Sequence, residues 1–188
     1  MVTPVLVTRG DVPMDEILES VRVLGVPVVW DNSSEVDLGI WGQYCAAMSR
    51  VETEYVYFQD DDVLTDPAAI AAQREPGVVV CNMPEAHRSK HAGQPDSLVG
   101  FGCVFERALI ERTFAPYVAT YGIDALLRRE APRIFTSLNR VKWIDVPKRD
   151  LPWATAANRM YHQPEHGAMR DEARRRCRLL LGSEAKCA

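Results

Sequence analysis

Several things this chain of 188 residues does not contain narrow what it does. No Cys-x-x-Cys pair occurs. The five cysteines, Cys45, Cys81, Cys103, Cys177 and Cys187, are scattered and odd in number. A disulfide framework is therefore not expected, and the cysteines read as small core residues in a reducing, cytoplasmic setting. No apolar run approaches the roughly 20 residues that a membrane span needs, so no membrane partner is expected. The start, Met1-Val2-Thr3-Pro4, lacks a basic segment followed by a long apolar stretch, so no secretory leader is expected. There is no Gly-x-Gly-x-x-Gly and no Walker A sequence, which removes support for dinucleotide oxidoreductases and ATPases. No internal repeat and no linker interrupt the chain.

What is present is ordinary in bulk and uneven in detail. Hydrophobic residues make up 47% and charged residues 26%, as in a globular domain with a proper core. Net charge is −4. Residues 140–181 hold ten basic and five acidic side chains, a local positive excess. Such an end meets either solvent or phosphates, of a nucleotide or of a nucleic acid.

The most informative run is Tyr55-Val56-Tyr57-Phe58-Gln59-Asp60-Asp61-Asp62-Val63. A β-prone apolar stretch leads straight into three carboxylates. Like charges packed together repel, and desolvating them costs more still. A divalent cation offsets both. In an extended chain Asp60 and Asp62 face the same side, which suits a hard, oxygen-seeking ion such as Mn²⁺ or Mg²⁺. A solvated turn is the plain alternative. A calcium loop of the EF-hand kind fails at Thr65, where glycine is needed, and at Ala71, where glutamate is needed.

The first half alternates. Strands are expected at 4–10, 26–30, 55–58 and 78–81. Helices are expected at 13–24, 38–50 (apolar face Ile40, Trp41, Tyr44, Met48) and 66–75, the last with Asp66 as N-cap and Pro67 in the first turn. This βαβα pattern predicts an α/β fold with a mainly parallel central sheet flanked by helices. Ligands of such sheets bind beyond the carboxyl ends of the strands, where Gly10, Asp31 and Asp60–Asp62 all lie. The second half carries a polar loop from Pro84 to Pro95 and a strand at 97–105 broken by Gly100 and Gly102. Helices follow at 107–114 and 124–130, then a strand at 141–146. The last helix, 168–181, sets Arg170, Arg174 and Arg178 opposite Met169, Ala173, Cys177 and Leu180.

In this order, strand-Thr-Arg, strand-Asp-Asn-Ser, strand-Asp-Asp-Asp, Gly-x-Gly and a late helix-opening Asp, the chain resembles the nucleotide-sugar-dependent glycosyltransferases of the GT-A fold. Family 2 and exostosin-like catalytic domains are the nearest in pattern. The resemblance implies a single Rossmann-like GT-A domain over residues 1–181, with 182–188 a flexible tail. It implies that Thr8 and Arg9 contact the nucleotide and that Asp31 holds the base of UDP. Asp60 and Asp62 then form the ends of a DxD motif that binds Mn²⁺ or Mg²⁺, with Asp62 the metal ligand, and Asp61 lies near the sugar. Gly100 and Gly102 let the backbone approach the donor. Asp124 corresponds to the acceptor-side acid, the general base in inverting members, and equally reads as a plain helix cap. His162 or His166 corresponds to a late histidine on the metal, and Arg9, Arg159 or Arg170 to a clamp on the diphosphate. The acceptor is then a hydroxyl, on a hydroxymethylated base of DNA of phage type, on a protein or on a glycan. The Tyr121-Gly122-Ile123 run before Asp124 departs from the Glu-Asp pair common in family 2. A nucleotidyltransferase and a non-catalytic nucleotide-sugar-binding module are the competing readings.

Overall fold

The computed structural model describes residues 1–85, 87–88, 99–155 and 164–184. Its elements are β1 (Val2–Thr8), α1 (Asp15–Val21), β2 (Val28–Asp31), α2 (Trp41–Arg50), β3 (Tyr55–Phe58), β4 (Val63–Leu64) and α3 (Pro67–Ala72). They continue with β5 (Val79–Asn82), β6 (Cys103–Glu106), α4 (Ala108–Tyr121), α5 (Ala125–Ser137), β7 (Val141–Ile144), β8 (Arg149–Asp150) and α6 (His166–Glu184). The six-stranded sheet runs in the order β2-β1-β3-β6-β5-β7, and β4 pairs with β8 in a separate ribbon. β1 is parallel to β2 and β3, and β5 is parallel to β7. β6 is antiparallel to both its neighbours. The architecture is α/β with a mixed, mostly parallel central sheet, compatible with a Rossmann-like fold.

The strands are apolar on both faces because helices cover both faces. Val5, Val56, Phe58 and Val79 face the larger core, built with Trp41, Tyr44, Phe114, Phe135 and Cys177. Leu6, Tyr57 and Val80 alternate to the other side, against Ile17, Val21 and Ile70. Asp66 caps α3 as expected, accepting from the Ala69 N–H at 2.9 Å, with Pro67 in the first turn. On α2 the buried face is Trp41 and Tyr44 with Ala46 and Ala47, while Met48 is exposed.

Three helices outrun their expected ends, and two of them contain a proline. α4 passes Pro116 and continues to Tyr121, because Tyr117 extends its buried face. α5 passes Pro132, with Glu130 displaced from helical geometry (φ −110°, ψ 15°). Pro132 has no N–H for the carbonyl four residues back. That carbonyl, on Arg128, instead accepts from Ile40 N–H at 2.9 Å. The proline thus frees a bond that ties α5 to the segment entering α2. α6 also runs on to Glu184, past the expected boundary at Leu181.

Candidate functional site

β1, β2 and β3 all point the same way, so the segments leaving Thr8, Asp31 and Phe58 share one edge of the sheet. β6 is reversed, so the residues entering it, Gly100–Gly102, reach the same edge from the other direction. Thr8 pairs in register with Asp31. The Thr8 carbonyl accepts from Asn32 N–H at 2.9 Å, and its hydroxyl accepts from Gly10 N–H at 3.1 Å. A side chain on Gly10 would meet the Ser33 hydroxyl at 2.3 Å. The two loops are therefore packed together.

The Asp31 carboxylate is exposed and organised. Its Oδ1 accepts from the Ser33 hydroxyl at 2.7 Å and the Ser33 N–H at 2.9 Å, and its Oδ2 from the Ser34 hydroxyl at 3.1 Å. The Ser33 hydroxyl is the main reason its pKa lies below the ordinary carboxylate value. Arg9 turns to Asp11, 2.7 Å away.

The acidic run differs from the extended arrangement expected of it. β3 ends at Phe58, and Asp61 and Asp62 form a turn leading into β4. Gln59 is the cause. Its buried side chain donates to the Val63 carbonyl at 2.7 Å and accepts from the Tyr57 hydroxyl at 2.7 Å, which closes a tight loop. The alternation argument for Asp60 and Asp62 therefore does not hold here, and Asp61 is the buried acid of the three. The turn is fixed from outside as well. Trp153 Nε1 donates to the Asp61 carbonyl at 2.7 Å, and Leu151 N–H to the Asp62 carbonyl at 2.8 Å.

Asp60 and Gly100 are brought into direct contact. Asp60 N–H donates to the Gly100 carbonyl at 3.0 Å. A Cβ on Gly100 would sit 1.9 Å from Asp60 Oδ2, so only glycine leaves room for the carboxylate. Gly102 has a different task. Its φ is +98°, and its Cβ would meet the Tyr57 hydroxyl and Ile70 Cδ1, both at 2.7 Å.

Among the described residues no three His, Cys, Asp or Glu side chains form a group able to hold a metal ion, so Asp60, Asp62 and His166 do not converge. Mg²⁺ and Mn²⁺ at nucleotide sites do not need a group of three. One or two acids serve there, and substrate phosphates and water complete the shell.

His166 belongs elsewhere. Its Nδ1 is 3.5 Å from Glu130 Oε1. Burial and then Arg170, Arg133 and Arg129 lower its pKa. Arg159 and His162 lie outside the described residues, as does most of the expected 84–95 loop.

Asp124 caps α5, its Oδ1 accepting from Leu127 N–H at 2.9 Å. Its Oδ2 accepts from Arg176 Nη1 at 2.8 Å. Arg176 also reaches the Tyr117 hydroxyl and Glu172. The capping role, one of two open from sequence, is therefore present, and both carboxylate oxygens have partners. Nor is the arginine face of α6 uniformly solvated: Arg170 and Arg174 are half-buried and Arg178 is exposed. Met169, Ala173, Cys177 and Leu180 pack on the core as expected.

Gln43, Gln59, Asn82 and Glu130 are buried polar side chains that the sequence alone does not single out. Gln43 Nε2 donates to the carbonyls of Val5 (2.6 Å) and Gln59 (3.3 Å), joining β1 to the acidic loop from below. In the sequence Gln59 reads as the end of the apolar strand. Asn82 binds both the N–H and the carbonyl of Val146 and the carbonyl of Phe101, fixing the Gly100–Gly102 segment. The only sequence signal was an amide inside an apolar run.

Glu130 is 3% exposed, with Arg133 Nε at 3.0 Å. Burial pushes its carboxyl up to about 7, against the pull of Arg170 and Arg129. A raised carboxyl pKa means that the folded state holds a proton the unfolded state has released. Stability from this group is then full below about pH 4.5 and falls as pH rises towards 7. Glu130→Gln is expected to flatten that slope in melting temperatures measured from pH 4.5 to 8. An unchanged slope contradicts the assignment.

No family model and no curated protein matches the chain.

Proposed function

We propose that this protein is a metal-dependent glycosyltransferase that moves a sugar from a nucleotide-diphosphate sugar, with a UDP-sugar favoured, to an acceptor hydroxyl. The observation that carries the reading is the contact of Asp60 with Gly100 beside the Asp61–Asp62 turn. A carboxylate cradled by a residue that must lack a side chain, at the edge where three strands end, is what a phosphate-and-metal site needs.

On this reading Asp31 and Thr8 receive the nucleoside, with Asp31 kept ionised by Ser33 and Ser34. Asp60 and Asp62 hold Mn²⁺ or Mg²⁺, which supplies positive charge to the departing diphosphate. Gln43 and Gln59 keep the acids in place from beneath. An acceptor hydroxyl must lose a proton as the new bond forms, and Asp124 is the candidate base. It serves as base only if the Arg176 pair opens when acceptor binds.

That pair also favours a second reading, a nucleotide-sugar-binding module without turnover. A screen of nucleotide sugars by thermal shift, with and without Mn²⁺, separates the readings from a chain with no donor site. The proposal expects one donor to stabilise the fold only with metal. No shift from any donor removes it. Product formation with the bound donor distinguishes the enzyme from the module. For a DNA acceptor, Arg178 is the exposed member of the arginine face, and binding would weaken steeply with salt.

A further inference from the structure

Of the arginines expected to meet the donor's diphosphate, Arg9 pairs with Asp11, and Arg170 lies with Glu130 and His166 between α5 and α6. The segment that lies against the acidic turn is 145–153. β5 and β7 run the same way as β3, since β6 is antiparallel to both β3 and β5 and β5 is parallel to β7. The chain leaving Ile144 therefore emerges at the edge where Asp60, Asp61 and Asp62 lie. It is tied there at several points. Asn82 accepts from Val146 N–H at 2.9 Å and donates to its carbonyl at 3.0 Å. Asp150 and Arg149 pair with Val63 and Leu64. Leu151 and Trp153 hold the carbonyls of Asp62 and Asp61. Pro147 and Pro152 stiffen the backbone between these ties.

Lys148 stands in the middle of this strap. Its side chain is only 6% exposed, and its Nζ lies 4.2 Å from the centroid of the Phe101 ring. Phe101 separates Gly100, which cradles the Asp60 carboxylate, from Gly102. The ammonium is paired with Asp150, whose side chain is 57% exposed. The pair is lopsided: the cation is sheltered and its partner is in water. Solvent screens a carboxylate of that kind, so the bond is readily exchanged. The ring face attracts the charge without using up its N–H donors. An oxyanion arriving at the edge can therefore replace Asp150 while the ammonium stays over the ring.

We propose that Lys148 makes this site select a nucleoside diphosphate over a monophosphate, its ammonium exchanging Asp150 for the β-phosphate. This selectivity rests on the reading of the sheet edge as a donor site. The strand order sets which phosphate arrives. From β2 the edge runs through β1 and β3 to β6, so Asp31, Thr8, Asp60 and Gly100 follow one another across it. β2 and β6 are three strand spacings apart, about 14 Å. Lys148 touches Phe101 in the segment entering β6, so it lies beyond Asp60 as seen from Asp31. A ligand whose base is at Asp31 meets Lys148 with its distal phosphate. A charge-assisted bond in a sheltered place is the stronger kind.

The test is calorimetric titration of the full chain with UDP and with UMP, both in the presence of Mn²⁺. Lys148→Met keeps the stem against Phe101 and removes the charge. It is expected to weaken UDP about tenfold, as for one lost charge-assisted contact, and to leave UMP unchanged. Asp150→Asn changes an exposed side chain, so it tests the exchange without disturbing the core. It is expected to tighten UDP about threefold, because the ammonium no longer has a competing partner. An ion pair that only supports the fold predicts the opposite sign, with UDP and UMP both weakened in both variants. That result overturns the proposal, as does UDP affinity unchanged in Lys148→Met, and either leaves the donor site standing. An unaltered protein that binds neither UDP nor UMP overturns the donor site and the role of Lys148 together.

Discussion

Gly100→Ala is expected to cost roughly a hundredfold or more in sugar transfer while leaving the fold intact, the scale of loss when a reacting group is displaced by about 1 Å. The added methyl would lie 1.9 Å from Asp60 Oδ2 and 2.4 Å from its Cγ, so the carboxylate must swing away. The backbone of Gly100 has no positive φ to strain, and the displaced atoms end a side chain that can rotate. The damage therefore falls on the site rather than on the core. Melting temperature without ligand should change by only a few degrees, and Mn²⁺-dependent stabilisation by the donor should vanish. Retained donor binding in Gly100→Ala would remove Asp60 from the site.

Gly102→Ala, two residues on, is expected to fail in the opposite manner. Its φ of +98° penalises any side chain, and a Cβ would strike Ile70 Cδ1 and the Tyr57 hydroxyl at 2.7 Å. Ile70 is fully buried, and Tyr57 is held by Gln59 and Thr65. Strain and overpacking together should cost about 2–4 kcal/mol. For a chain of this size that lowers the melting point by roughly 5–15 °C. Urea unfolding reads the same loss directly. The contrast between the two glycines separates a glycine that makes room for function from one that makes room for the fold. Equal stability loss in both variants would contradict it.

The sheet was largely legible because its strands are short and apolar and alternate with helices, one of them opened by the Asp66-Pro67 cap. The reversal of β6 was not, since the same apolar strand pattern serves either direction when both faces are covered. Pro116 and Pro132 hid the lengths of α4 and α5. A proline forfeits one hydrogen bond, and buried faces at Tyr117, Ile134 and Phe135 outweigh that loss.

At the site, the residue types and their common edge could be read from strand order. The conformation of the acidic run could not, because it depends on how the Gln59 side chain folds back on Val63. The fate of the late arginines was equally hidden. Helical spacing places Arg170 and Arg174 on one stripe, but only the packing of α6 on α5 shows that the stripe meets Glu130 and Arg133 rather than solvent alone.

The measurement that bears most directly on the acidic turn is the binding of Mn²⁺, followed by its electron paramagnetic resonance signal, with and without a nucleotide sugar. The account expects one tightly held ion per chain when donor is present, weak binding without it, and loss of both metal and donor in Asp62→Asn. Tight Mn²⁺ that survives Asp62→Asn, or donor binding that ignores the metal, would contradict the assignment of Asp60 and Asp62 as the metal-holding pair.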